Sequence, residues 1–218
     1  MTVITISRQF GSNGSMIATQ VAQAMGFHLA DKHIMEDILR QYGMVQFERV
    51  FEEAPSFWDL FDEQYILTAD MLDRTIKALA RHGNIVIVGR GSYAPLQGLA
   101  DVLNVRIQAP LAMRVQRISA REGISPLDAE MQVREEDKVR QGFIEKAYKV
   151  RSDDATPFDL VVDTGNLAPE LSINLVVEAA RAKGQHADDD QLKAGGLEVD
   201  KVLGKVVCQV LDCEIKHG

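Results

Sequence analysis

Arginine, glycine and hydroxyl side chains near the start of this chain are spaced as if to hold a phosphate. Arg8 is followed after two residues by Gly11-Ser12-Asn13-Gly14-Ser15. Glycine and asparagine adopt positive φ cheaply, so Gly11, Asn13 and Gly14 let such a loop curl its backbone N–H groups inward toward an anion. Against the pattern G-x-x-x-x-G-K-[ST], Arg8 stands at the first glycine and Asn13 at the second. Gly14 stands at the lysine, and Ser15 at the hydroxyl that ligates Mg²⁺. The lysine is absent, and Arg8 at the loop entry is the nearest replacement for its charge. The same residues also suit an ordinary strand–turn–helix connection, with glycine for the turn and serine as N-cap.

More cations recur downstream. Arg90 lies in Gly89-Arg90-Gly91, and Arg114, Arg117 and Arg121 follow at i, i+3 and i+7, on one helix face. In the next helical stretch Asp137 and Arg140 share a face with Val133, whereas Arg134 is about 100° away from it. Phosphoryl transfer needs several cations around one transferring group and little else. The alternative is a pair of solvated helices laced with ordinary ion pairs. The five histidines show neither triad nor metal spacing. Ser92 lacks the G-x-S-x-G frame of an esterase nucleophile. Trp58, with Phe57, Phe61 and Tyr65, fits helix packing.

These residues must be positioned by a strand–helix alternation. Strands are expected at 3–7, 27–30, 85–88, 102–109 and 158–163, each short and apolar and separated from the next by helical pattern. Helices are expected at 15–25, 34–42, 45–53, 57–82 with a break at Pro55, 110–122, 126–151 and 169–183. That pattern argues for a parallel sheet covered on both faces, with ligands beyond the carboxyl ends of its strands. Three of the five strand exits carry arginine at or near that end: Arg8, Arg90 and the Arg114 helix. From 185 onward the texture changes. An acidic stretch around Asp188-Asp189-Asp190 reads as a linker, and two apolar runs flanking Gly204 read as a hairpin.

The length, 218 residues with 46% hydrophobic and 26% charged, suits one α/β domain with an appendage. A net charge of −8 argues against a surface that coats nucleic acid. No apolar run is long enough for a membrane span and no leader pattern opens the chain. The two cysteines, Cys208 and Cys213, have no histidines at metal spacing and suit a reduced, cytoplasmic protein.

The chain resembles the cytidylate kinase-like family of the nucleoside monophosphate kinase group. The resemblance is carried by Ile4-Thr5-Ile6-Ser7-Arg8 with Gly11-Ser12-Asn13-Gly14, by Asp31-Lys32, and by Val86-Ile87-Val88-Gly89-Arg90-Gly91. It continues through Val105-Arg106-Ile107-Gln108-Ala109-Pro110 with Arg114 and Arg117, Asp137-Lys138 with Arg140, and Phe158-Asp159-Leu160-Val161-Val162-Asp163-Thr164. It implies a five-stranded parallel P-loop core over 1–184, a helical monophosphate-binding insertion at 31–82 and a lid at 123–152. Gly11, Ser12, Asn13, Gly14 and Ser15 would cradle the phosphates of ATP, and Ser15 would contact Mg²⁺. Asp31, Lys32 and Arg90 would hold the acceptor, CMP, dCMP or a similar small molecule. Arg117, Arg121 and Arg140 would clamp the transferring phosphate, with Asp137 orienting a lid arginine, and Arg8 remains the candidate catalytic stand-in for the lysine. The family's loop usually has glycine where this chain has Asn13 and arginine where it has Ser15. Its lid pair is shifted, with Val133 at the arginine position and Arg134 at the aspartate position. The alternative is a nucleotide-binding regulatory protein that kept the fold and lost the chemistry. The oligomeric state stays open, a homodimer included, and neither nucleic acid nor membrane is expected as a partner.

Overall fold

The computed structural model describes residues 2–44, 62–151, 153–186 and 190–215. The helix expected at 45–53, the break at Pro55, the Phe57–Trp58–Phe61 group, and Asp188 and Asp189 lie outside the described residues.

Apolar runs build the sheet, and those of its three central strands are buried on both faces. The strands are β1 (Val3–Arg8), β2 (His28–Ala30), β3 (Ile85–Val88), β4 (Val102–Gln108) and β5 (Leu160–Asp163). They pair in the order β2-β3-β1-β4-β5, every pair parallel, with Val3 opposite both Ile85 and Val102. Because side chains alternate along a strand, the sheet feeds two cores. Ile4, Ile6, Val86, Val88, Val105 and Ile107 pack against α1 (Gly14–Met25) and α6 (Pro169–His186). Val3, Ile85, Ile87 and Val102 face α2 (Lys32–Gln41) and α3 (Glu63–His82).

Local signals set the helix ends. The Asp31 carboxylate accepts from the backbone N–H groups of His33 and Ile34 and caps α2. Gly26, at φ 64°, ends α1 by donating to carbonyls of its last turn. Helix α4 (Leu111–Glu122) runs from Pro110, and α5 (Pro126–Tyr148) is capped by Ser125 with Pro126 in its first turn. A small separate cluster of Ile118, Ala129 and Val133 joins α4 to α5. Farther along α5, Phe143 enters the α2–α3 core, with Ile144, Ala147 and Tyr148 against it.

The tail is not a hairpin. After a strap that hydrogen-bonds through Leu192 O to Ala100 N and through Ala194 N to Asp101 Oδ1, residues Lys201–Ile215 form helix α7. Leu203, Val206, Val207, Val210 and Leu211 recur at i, i+3, i+4, i+7 and i+8 and are buried against α2 and α3. The β-branched residues around Gly204 favour a strand locally, but the helical stripe and the core it completes decide the outcome.

Candidate functional site

Beyond the carboxyl ends of β1 and β3, roofed by α5, lies a cleft of about 410 Å³. Its lining comes from separate elements: Ser7 and Arg8 of β1, Lys32 of α2, Gly89, Arg90 and Gly91 after β3, and Glu136, Val139, Arg140, Phe143 and Ile144 of α5. Four cationic side chains and one carboxylate therefore face one volume. That is the charge pattern of a site for an anionic ligand with an apolar wall beside it.

Arg90 reaches the cleft from a turn that is left-handed at three successive residues, Gly89 (φ 75°), Arg90 (φ 55°) and Gly91 (φ 66°). An arginine at positive φ is held against its own preference. Tyr148 does the holding: its hydroxyl donates to Arg90 O at 3.3 Å, and its ring lies where a Cβ on residue 91 would be, 2.6 Å away. Burial pushes the Tyr148 phenol well above its usual range. The Arg90 guanidinium stands 3.7 Å from Glu36, a carboxylate that Lys32 also approaches at 3.6 Å. On the roof, Arg140 pairs with Glu136 at 3.0 Å and lies over the Phe10 ring. Burial lowers the Arg140 pKa, with Glu136 pulling the other way. Burial drives Arg8 down to about 9, and Arg140 and Arg90 add repulsion.

The loop from Gln9 to Gly14 is fixed from several sides. Gln9 N donates to Ile107 O, and Gln9 Oε1 accepts from Ala109 N. Ser12 is fully buried, its hydroxyl donating to Gln9 O at 2.8 Å. Asn13 is left-handed (φ 62°) and makes no side-chain cap, so the first-turn N–H groups of α1 stay open to an anion. Ser15 is exposed in that first turn.

Asp137 is a latch between this loop and the roof. It accepts from Phe10 N at 2.9 Å and pairs with the buried Arg114 of α4, which also donates to Ala109 O and Phe10 O. The arginine it holds is thus on α4, not on the lid segment. Arg117 does not line the cleft. It donates to Thr164 O at 2.6 Å, to Thr164 Oγ1 at 3.1 Å and to Gly11 O at 3.4 Å, while Thr164 Oγ1 donates to Ser12 O. Arg121 is exposed, paired with Glu122 and set over Phe10. Asp31 is occupied as the cap of α2.

Of the residues singled out in the sequence, the structure brings Arg8, Lys32, Arg90 and Arg140 to one cleft. Gly11, Ser12, Asn13, Gly14 and Ser15 form the adjoining loop. Glu36 and Glu136 were missed. Each is four residues from a cation it meets (Lys32 before, Arg140 after), a spacing the sequence displays but which surface helices share. Among the described residues no group of three or more His, Cys, Asp or Glu could enclose a metal ion, and no helix is long and apolar enough to cross a membrane.

The profile of the cytidylate kinase-like family matches residues 3–166. A cytidylate kinase of Pyrococcus horikoshii is 28% identical over 179 residues, 82% of this chain and 87% of that protein. One from Methanocaldococcus jannaschii is 27% identical over 81% of this chain and 96% of its own length. Among solved structures, an uncharacterized protein from Eubacterium ventriosum superposes with a TM-score of 0.69 at 18% identity, covering 83% of this chain and 98% of that one. TT1252 from Thermus thermophilus gives 0.52 at 18% identity, covering 84% and 97%.

Proposed function

The chain belongs to the cytidylate kinase-like family, and from that premise we propose that it is an ATP-dependent nucleoside monophosphate kinase with CMP or dCMP as acceptor. The observation that carries the reading is the convergence of Arg8, Lys32, Arg90 and Arg140, from four elements, on one cleft beside an open helix N-terminus. The archaeal relatives named cytidylate kinase support the choice of acceptor.

In this reading the first turn of α1 and the 11–15 loop hold the ATP phosphates through backbone N–H groups. Lys32 and Arg90 hold the acceptor's phosphate, with Glu36 between them offsetting their mutual repulsion until it arrives. Arg140 approaches from the 123–152 segment, which serves as the lid and excludes water. The γ-phosphoryl leaves a β-phosphate oxygen of ATP and bonds to a phosphate oxygen of the acceptor, so positioning and charge carry the catalysis. Mg²⁺ would neutralise phosphate charge, and the exposed Ser15 hydroxyl suits one coordination place. An ion held mainly by phosphates and water needs no protein cage.

The test is ADP production from MgATP across CMP, dCMP, UMP, AMP and GMP. Turnover that requires CMP or dCMP supports the reading, and a preference for another monophosphate changes the acceptor. ATP binding without turnover on any acceptor favours the nucleotide-binding regulatory alternative, which the shifted lid pair, Val133 and Arg134, supports.

A further inference from the structure

In the phosphate-loop register, residue 14 should carry the lysine, yet this chain has glycine there. The space beside Gly14 is taken. A Cβ built on it would lie 2.5 Å from Arg8 Cβ, 3.1 Å from Arg8 Cγ and 3.3 Å from Ile107 Cβ. The first contact is with Arg8 Cβ, which the backbone fixes and no rotamer moves away. The far end of Arg8 meets a second glycine: a Cβ on Gly89 would overlap Nη1 and sit 2.8 Å from Cζ. Two glycines, one after β1 and one after β3, thus open a slot through which Arg8 reaches the cleft.

Asp31 and Glu136 act on the charge of Arg8 only from a distance. Arg8 Nε is buried without a hydrogen-bond partner, and among the described residues no carboxylate stands within ion-pair distance. Lys32 and Arg90 share Glu36, and Arg140 has Glu136. An arginine keeps its proton at neutral pH, so the buried charge, with its pKa pushed down to about 9, is a standing demand for an anion. Packing alone would be served as well by methionine or leucine.

We propose that Arg8 is the relocated phosphate-loop cation of this chain, reaching the transferring phosphoryl group through the Gly14–Gly89 slot, and that Arg8 and a lysine at position 14 are alternative occupants of it. The proposal rests on the kinase reading above. Arg8 makes and breaks no bond. Its planar fork holds phosphoryl oxygens while the bond to the leaving ADP oxygen breaks and the bond to the acceptor oxygen forms.

The experiment is a reciprocal swap: Arg8→Gly, Arg8→Met, Gly14→Lys, and Arg8→Gly combined with Gly14→Lys. Each is checked for folding by circular dichroism and assayed for kcat and KM with MgATP and CMP. Arg8→Gly and Arg8→Met should lower kcat by about 10²–10³-fold, with the KM for CMP changing far less. Gly14→Lys alone should also lose activity, because it displaces Arg8. The double variant should recover at least about tenfold over Arg8→Gly, the gain coming from the lysine now free to enter. Folded Arg8→Met with wild-type kcat, or Gly14→Lys with wild-type activity, overturns the proposal, as does a folded double variant no better than Arg8→Gly. If the wild type turns over no nucleotide, the kinase reading fails separately. The slot is then read by calorimetry with inorganic pyrophosphate, where the same order of affinities supports it and equal binding by all four variants overturns it.

Discussion

Replacing Asp137 by alanine tests whether the roof of the cleft is latched to the phosphate loop by a buried ion pair. Arg114 has a side chain only 7% exposed, and Asp137 is 16% exposed. Removing one member of a buried pair strands the other's charge and costs about 3–5 kcal/mol in comparable settings. Arg114 keeps two carbonyl acceptors, Ala109 O and Phe10 O, which places the charge loss toward the lower end of that range. Phe10 N loses its acceptor as well, at about 1–3 kcal/mol if it finds no water. Since the two losses share a site they do not add fully, and about 3–5 kcal/mol in total is expected. That is a large part of the 5–15 kcal/mol typical of a domain. Asp137→Asn keeps an acceptor for Phe10 N and should lose about 3 kcal/mol, the charge component alone. Urea unfolding followed by circular dichroism measures both. A loss below about 1 kcal/mol for Asp137→Ala refutes the latch. Arg114→Met combined with Asp137→Leu should then recover most of the stability, because apolar replacements of a buried pair are often neutral or better.

Gly91→Ala should cost about 2–4 kcal/mol, from positive φ and from a Cβ driven into the Tyr148 ring, and should raise the KM for acceptor as Arg90 shifts; thermal melts and initial rates check both. Arg117→Ala and Thr164→Val should have similar, modest effects on turnover, because Arg117 is spent on Thr164 and the loop carbonyl. If Arg117→Ala abolishes turnover while Thr164→Val spares it, Arg117 touches phosphate instead. Tyr148 has its folded pKa raised by burial, so its neutral form contributes stability that is complete below the ordinary phenol value of about 10 and is lost as pH climbs toward the folded one. Urea midpoints should fall more steeply above pH 10 in the wild type than in Tyr148→Phe, and equal slopes would show that the phenol is not buried.

Arg114, Arg117 and Arg121 show how far spacing carries an argument. The i, i+3, i+7 pattern places them on one face of α4, and the structure agrees that α4 runs along the loop side. Yet Arg114 is a buried partner of Asp137, Arg117 ties Thr164 to Gly11, and Arg121 pairs with its neighbour Glu122 at the surface. Which of these happens depends on what lies opposite each turn of the helix. That is set by the register between α4, α5 and the β5 exit, which no local pattern encodes. The central strands were legible because apolar runs buried on both faces have few alternatives, and the strand order confined the ligand end to the exits of β1 and β3.

Helix α7 and the Arg8 slot mark opposite limits of that legibility. In α7 the helical stripe was written in the sequence and was masked by β-branched residues and a glycine. The core on α2 and α3 that resolves the ambiguity comes from residues some 120 or more positions away. At the slot, the sequence shows only that a lysine is missing and that an arginine lies nearby. The mutual exclusion of Arg8 and a side chain at position 14 appears only when the end of β1 and the start of α1 are brought within contact, with Gly89 closing the far side. A glycine in the lysine position therefore has a steric reason. The absence of the lysine by itself is therefore no mark of lost function, because the space at its root is taken by the stem of Arg8, whose charged end lies against Gly89.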